Sequence, residues 1–162
     1  MRVFLEKQQF RQWWLIALLA TTIGGIILNI YNKTEGFRSI ENYKLQMITL
    51  LITIIIIASI FILELRTKID SKGITATFKP IPFFKRQYNW SQIDKIYVRK
   101  YSALTEYGGW GIRGFGKAKA YNVSGNYGIQ IVTKENEQFL IGTQKPQDVE
   151  RVLKRYTEKI SH

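Results

Sequence analysis

The chain has 162 residues, with 24 basic and 12 acidic side chains and a formal net charge of +12. It has no cysteine, and its one histidine, His162, is the last residue. This excludes disulfides, zinc–thiolate and iron–sulfur sites and thiol catalysis, and it argues against a histidine-based catalytic pair. No metal site and no cofactor are expected. The aliphatic residues are concentrated in the first 63 positions, which is not typical of a single soluble globule.

Two long apolar segments dominate the N-terminal part. Trp13 to Ile30 is uncharged over 18 residues, and Leu45 to Leu63 over 19. A 19-residue helix is roughly 28 Å long, close to the hydrocarbon core of a bilayer. The sequence therefore predicts two transmembrane helices, at about 13–30 and 45–63, joined into a hairpin by residues 31–44. The alternatives are two buried core helices and, for the first segment, a cleaved signal peptide.

Basic residues indicate an orientation for this hairpin. Seven lie close to the predicted helices on the side of the two termini, and three lie in the connecting loop. This bias favours both termini in the cytoplasm. We therefore expect a multi-pass protein of the cytoplasmic (inner) membrane, with the lipid bilayer as a partner.

Small residues recur at a four-residue spacing in both apolar segments. Such residues allow helices to approach closely in lipid, so a helix–helix packing face is predicted within the hairpin. A homo-oligomer contact would use the same residues, and chance is the alternative explanation. The residues are Ala17, Thr21 and Gly25 in the first segment and Thr49 and Thr53 in the second.

Residues 64–162 have a different pattern, typical of a β-rich domain. Apolar and polar residues alternate between turn residues, which predicts about seven strands. A hairpin through Gly125 and Asn126 is predicted to join the fifth and sixth strands. Apolar residues from Val149 to Tyr156 recur at helical spacing, so an amphipathic C-terminal helix is predicted to pack on the strands. The predicted strands are 65–69, 74–78, 83–88, 93–101, 118–124, 127–133 and 138–143.

Four stretches of this part carry a family resemblance: SKGITATF, NWSQIDKIYV, YGGWGIRGFG and a hairpin ending in QFLIGTQKPQDVERVL. With the two predicted spans, they resemble the bacterial pleckstrin-homology-like (bPH) membrane proteins that have two N-terminal transmembrane helices. The resemblance implies a hairpin over 1–63 and a cytosolic PH-like domain over 64–162. That domain would have seven antiparallel strands in a partly open barrel capped by the C-terminal helix. It implies no defined activity, because the fold hosts many binding roles.

A glycine-rich loop follows the fourth predicted strand. Gly109 to Gly114 matches G-x-G-x-x-G, but a strand follows where a dinucleotide-binding fold needs a helix, so nucleotide binding is not favoured. The glycines are expected to supply positive φ angles in an irregular loop.

Three aromatic residues and one arginine lie in or beside this loop. In one interpretation the tryptophan closes the end of the domain and the arginine is a structural ion-pair donor. In the other, aromatic anchors and an arginine bind a carboxylate or phosphate of a ligand or partner. The residues are Tyr107, Trp110, Arg113 and Phe115.

Basic residues in the β-rich part suggest contact with anionic lipid, and Lys79, Lys85 and Arg86 are the predicted contacts. The alternative is a solvated basic face. No nucleic-acid-binding motif is present, so no nucleic acid partner is expected.

These features together predict a protein that is not an enzyme. The carboxylates are scattered, and no histidine is placed to activate a serine. The expected function is a membrane-anchored module that binds a protein partner, membrane-bound or cytosolic, or anionic lipid headgroups at the cytoplasmic face. The alternative is an accessory subunit of a membrane transport or assembly complex, with the helical hairpin as its interface.

Overall fold

A computed structural model describes residues 3–11, 13–33, 40–114 and 118–157. The chain divides into two compact units. One comprises Phe10–Ile62. The other combines the N-terminal segment up to Gln9 with the chain from Leu63 onward.

The first unit contains two helices, α1 (Trp13–Lys33) and α2 (Ile40–Ile62). Their positions overlap the two apolar segments, so the helical state of those segments is confirmed. Within the described ranges, however, neither these helices nor any other is sufficiently long and apolar to cross a membrane. The helices extend beyond the uncharged runs and include charged residues such as Lys33 and Lys44. The predicted transmembrane spans, and the multi-pass membrane location inferred from them, are therefore wrong.

The chain begins with a strand, and the prediction of an N-terminal helical hairpin is wrong. Strand β1 (Phe4–Gln9) alternates buried and exposed residues and pairs antiparallel with β2 (Glu64–Ile69). Glu6 and Gln8 point inward with Phe4, whereas Leu5 and Lys7 are exposed. This period of two is that of a half-buried strand. From its sequence, this segment is expected only to be a basic flank of the first helix.

The second unit consists of two sheets and two helices. The four-stranded sheet has the order β1-β2-β3-β4, and the five-stranded sheet has the order β5-β8-β9-β7-β6. A 3-10 turn (Trp90–Gln92) separates β4 from β5, and α3 separates β5 from β6. The remaining elements are β3 (Gly73–Lys79), β4 (Lys85–Asn89), β5 (Ile93–Lys100), α3 (Ala103–Tyr107), β6 (Gly111–Arg113), β7 (Ala118–Asn122), β8 (Tyr127–Thr133), β9 (Gln138–Thr143) and α4 (Pro146–Thr157).

All seven predicted strands are present near their predicted positions, but the predicted PH-like barrel of antiparallel strands is wrong. The described residues form nine strands in two separate sheets, and β7 pairs with β9 in parallel. The predicted hairpin of β7 and β8 does not form, because β9 lies between them. Five of the six residues of β9 are buried, including Phe139, Leu140 and Ile141. A strand that is apolar on both faces is stabilised at the centre of a covered sheet.

The two sheets bury an aromatic core between them. Phe78 of β3 packs edge-on against Tyr121 of β7, with ring centroids 5.4 Å apart, and Tyr121 packs against Phe139 at 5.0 Å. Helix α4 packs against β5 and β8. Its Tyr156 stacks on Trp90 at 5.1 Å, which joins the helix to the turn between the sheets.

Buried polar contacts join β1 to the five-stranded sheet. The Glu6 carboxylate accepts hydrogen bonds from Thr143 Oγ1 at 2.6 Å and from the Gln144 backbone N–H at 2.8 Å. Gln8 Nε2 donates to the Gly142 carbonyl at 2.7 Å. Because a buried carboxylate needs donors, these contacts hold the edge strand β1 in place.

Candidate functional site: a cleft beside the glycine-rich loop

The short helix α3 positions one wall of the cleft. Ser102 is its N-cap and accepts a hydrogen bond from the Thr105 N–H, while the Ser102 N–H donates to Glu106 Oε1 at 2.9 Å. These two bonds satisfy amides that a helix start leaves unpaired. Gly108, at φ 70°, ends the helix in the left-handed region, and its N–H donates to the Leu104 carbonyl at 3.0 Å. A left-handed glycine is the usual way to end a helix.

Arg99 of β5 anchors this helix to the sheet. Its Nη2 lies 2.8 Å from Glu106 Oε2 and 3.2 Å from the Tyr107 hydroxyl, and its Nε donates to Gln130 Oε1 at 3.0 Å. Its Nη1 donates to the Lys100 carbonyl at 3.2 Å. Each nitrogen of the guanidinium therefore has an acceptor, and Arg99 is a structural residue.

The charges of this network reinforce one another. The hydrogen bond from Arg99 is the main cause that lowers the pKa of Glu106, and Arg99 has its own pKa raised by Glu106 despite partial burial. Burial raises the pKa of the Tyr107 phenol. Glu106 thus stays ionised and Tyr107 stays protonated at neutral pH. Both oxygens of Glu106 are already engaged, so this carboxylate is poorly placed to act as a general base.

An apolar cluster beneath α3 supports the same wall. Tyr101, Ala103, Ala120 and Leu140 are buried there, and the half-buried rings of Tyr107 and Trp110 pack against them. The rings of Tyr101 and Tyr107 meet edge-to-face at 6.1 Å. Because Ala120 and Leu140 belong to the five-stranded sheet, Trp110 covers part of one face of that sheet. Burial raises the pKa of Tyr101 to about 12.

Arg113, at the end of β6, differs from Arg99. Its Nε donates to the Trp110 carbonyl at 2.8 Å, and its guanidinium lies over Gly109. A β-carbon on Gly109 would lie 3.5 Å from Nη2, and the φ of Gly109 is +129°, which disfavours any other residue. Among the residues that the structure places, Arg113 has no carboxylate partner. Its two terminal nitrogens remain available to a ligand.

An open cleft of about 600 Å³ lies between α3 and β6. One charged group on each side and an apolar side chain line it, and Ile112 is 37% exposed there. The two carboxylate oxygens of Glu106 already accept from Arg99 and from the Ser102 N–H. Arg113 therefore provides the positive charge of the cleft that has no ion pair among the described residues. The lining residues are Glu106, Tyr107, Gly108, Ile112, Arg113, Gly114 and Ala118.

The residues predicted in the loop are only partly brought together here. Tyr107 and Arg113 line the cleft, whereas Trp110 packs beneath it, and Phe115 lies outside the described residues. The positive φ angles expected of the glycines are confirmed at positions 108, 109, 111 and 114. Among the described residues of this region, the ion pair is formed by Arg99, with Glu106, and none is formed by Arg113.

The predicted basic contacts do not share one face. Lys79 ends β3, and Lys85 and Arg86 begin β4. Lys85 pairs with the half-exposed Thr77, whereas Arg86 pairs with the buried Ala76, so the two side chains leave β4 on opposite sides.

The small residues proposed for helix packing are mostly exposed. Ala17, Thr21, Gly25 and Thr49 are exposed, and Thr53 is half-buried. The hydroxyl groups of the three threonines donate to backbone carbonyls of their own helices. Nothing lies within 4 Å of a β-carbon built on Gly25.

Sequence reasoning missed the residues that hold the cleft together: Arg99, Glu106 and helix α3. A signal for the helix was present, since a serine at position 102 precedes ALTEY and two glycines follow. Ser, then a short helical run, then Gly is the pattern of a capped helix. No comparable pattern in the sequence indicates that Arg99 pairs with Glu106.

No protein-family model, curated protein or solved structure matches this chain. In the described part of the chain, no three His, Cys, Asp or Glu side chains lie close enough together to hold a metal ion.

Proposed function

We propose that this protein is a non-enzymatic binding module and that the cleft between α3 and β6 receives an anionic group of a protein partner. The observation that carries the proposal is the Arg113 side chain, which lines the cleft and whose terminal nitrogens have no acceptor among the described residues. A guanidinium presents parallel N–H groups that match a carboxylate or a phosphate. The anchoring of its Nε on Trp110 holds the side chain in position before a ligand binds.

The walls of the cleft fit a peptide better than a free ion. Ile112 and Tyr107 offer apolar surface beside the charge, and a volume of about 600 Å³ accommodates a few side chains. Apolar surface with a small number of placed polar groups is typical of ligand sites. Binding in place of catalysis is supported by Glu106, because its two oxygens are engaged with Arg99 and Ser102.

Fluorescence anisotropy with three pools of labelled octapeptides tests this proposal. One pool has a fixed glutamate, one a fixed phosphoserine and one a fixed glutamine. We expect the purified full chain to bind one anionic pool and to bind the glutamine pool at least tenfold more weakly, because a charge-assisted pair contributes about 1.5–3 kcal/mol. Arg113→Gln should remove that preference.

Arg151→Gln is the matched control, since Arg151 is 71% exposed on α4, far along the chain from the cleft. It should bind as the wild type does. Equal binding of all three pools, or unchanged binding by Arg113→Gln, contradicts the proposal. Binding of glycerol 3-phosphate to the purified chain, lost in Arg113→Gln, with no binding of either anionic peptide pool, would also contradict the proposal. It would show that the cleft takes a lipid headgroup.

A further inference from the structure

The outer face of the four-stranded sheet is positively charged. In the strand register, Lys7 of β1, Arg66 of β2, Thr77 of β3 and Lys85 of β4 form one row across all four strands. Neighbouring strands are about 4.8 Å apart, so this row crosses the whole sheet. We call the outward basic residues of this sheet the basic face: Lys7, Arg66, Lys68, Lys79 and Lys85.

Only part of this charge is compensated within the chain. Arg66 is paired with Glu64, and Lys68 Nζ lies 2.7 Å from Asp70 Oδ2. The other three residues, Lys7, Lys79 and Lys85, are exposed and have no ion pair in the ranges that the structure covers. The basic face therefore has three uncompensated positive charges on one flat surface.

Apolar side chains lie beside these charges. Leu5 is 64% exposed on the same face, and Phe83 is 92% exposed in the turn between β3 and β4, which Lys79 and Lys85 flank. Ile81, which is 40% exposed in the same turn, adds to this apolar surface, and exposed apolar surface rimmed by polar residues is typical of interaction sites. A phosphate backbone offers no apolar partner for such a ring. The outward positions of the four strands have no second aromatic residue, so successive bases would find no stacking platform beyond Phe83 itself.

We propose that the basic face docks an acidic segment of a protein partner, with Phe83 as its apolar anchor. Carboxylates of that segment pair with Lys7, Lys79 and Lys85, and its apolar side chains contact Phe83 and Leu5. This surface is separate from the cleft, so it binds independently of Arg113. The combination of complementary charge with a protruding aromatic anchor is typical of protein recognition.

The test is anisotropy of the full chain with a labelled 12-residue peptide of alternating glutamate and leucine. The first variant combines Lys7→Glu, Lys79→Glu and Lys85→Glu. The matched control combines Lys95→Glu, Lys134→Glu and Lys145→Glu, which are exposed and change the net charge equally. We expect at least a tenfold loss of affinity in the first variant and less than a threefold loss in the control.

Two further arms complete the experiment. Phe83→Ser should weaken binding of the peptide several-fold but leave binding of poly-glutamate unchanged. Arg113→Gln should leave peptide binding unchanged, so failure of the cleft proposal and failure of this one are distinguishable. Equal losses in both triple variants, or no peptide binding, overturn the inference. Tighter binding to single-stranded oligo(dT) or to phosphatidylglycerol vesicles, lost with the same three lysines, also overturns it.

Discussion

Two arginines border the same helix and differ in what surrounds them. Arg99 has an acceptor for every nitrogen: a glutamine, a glutamate, a phenol and a backbone carbonyl. Among the described residues, Arg113 has one acceptor, the Trp110 carbonyl, and its side chain lines an open cleft. The difference separates an arginine that stabilises the fold from one that is available to a ligand. The following changes, from the largest expected effect to the smallest, test that distinction.

Truncation of a side chain in the apolar cluster beneath α3 should have the largest effect, because this cluster supports the wall of the cleft that Arg99 anchors. Leu140 is fully buried there against Tyr101 and Ala120. Leu140→Ala should lower the free energy of unfolding by about 2–5 kcal/mol, because it leaves a cavity. Urea denaturation followed by circular dichroism measures this. Leu104→Ala, at a side chain that is 62% exposed on α3, is the control and should change stability by less than about 0.5 kcal/mol. A loss below about 1 kcal/mol for Leu140→Ala would show that the cluster is not a core.

High pH should destabilise the same apolar cluster, because Tyr101 then loses its phenolic proton in a buried position. Its folded-state pKa of about 12 lies above the ordinary pKa of a tyrosine, about 10, so its contribution to stability is present below about pH 10. The contribution is lost as pH rises from 10 toward 12 and totals about 3 kcal/mol. Burial also raises the pKa of Tyr107 and Tyr88, so they act in the same direction.

Denaturation curves across this alkaline range measure the effect, and Tyr101→Phe should reduce the slope of stability against pH. Tyr97→Phe, at a ring that is 46% exposed, serves as the control. An identical slope in wild type and Tyr101→Phe would mean that Tyr101 ionises without unfolding.

Arg99→Met and Arg113→Met compare the two arginines directly. Arg99→Met removes the ion pair with Glu106 and leaves Gln130 without its donor, so we expect a loss of about 1–2 kcal/mol after allowance for solvent screening. Arg113→Met should change stability by less than about 0.5 kcal/mol, because its guanidinium has no acidic partner in the described residues. Thermal or urea unfolding measures both. Equal losses would remove the distinction between the two arginines.

The smallest expected effect is on acid stability. The pKa of Glu106 is depressed chiefly by its hydrogen bond with Arg99. Its contribution to stability is therefore present above the ordinary pKa of a glutamate and is lost as pH falls below that value. Since Glu106 is 38% exposed, less than about 1 kcal/mol is expected. Glu106→Gln should flatten the acid side of the stability profile relative to wild type. The Asp70 contribution, which has the same sign, should persist in that variant.

Much of the strand content could be predicted from the sequence, because period-two alternation is a local property. The strand from Glu64 to Ile69 and the one from Tyr127 to Thr133 lie almost where the alternation indicates. β1 was missed because its sequence, FLEKQQ, does not alternate apolar and polar residues: only its burial alternates, with Glu6 and Gln8 inward and Leu5 outward. Its partner β2 follows more than 50 residues later along the chain, beyond two helices, so no pattern among neighbouring residues predicts the pairing.

The candidate site was predicted less completely. Tyr107 and Arg113 attract attention because aromatic and charged residues are unusual in a glycine-rich loop. The assignment of the ion pair to Arg99 required knowing that β5 places it beside Glu106, seven residues later along the chain. The long apolar segments likewise predicted helices correctly. The membrane spans were wrong, because a helix must also be sufficiently long and apolar to cross a bilayer.

The sequence by itself determined the helical or extended state of most segments, though not of β1 or α3, because those states depend on residue spacing over a few neighbours. It also determined the excess of positive charge and the absence of cysteine. The tertiary structure alone decided that β9 lies between β7 and β8, that β1 belongs to the β-rich unit, and that Arg99 is paired while Arg113 is open. These outcomes depend on contacts between residues far apart in the chain. Burial of apolar surface and satisfaction of buried hydrogen bonds select them only once the whole fold has formed.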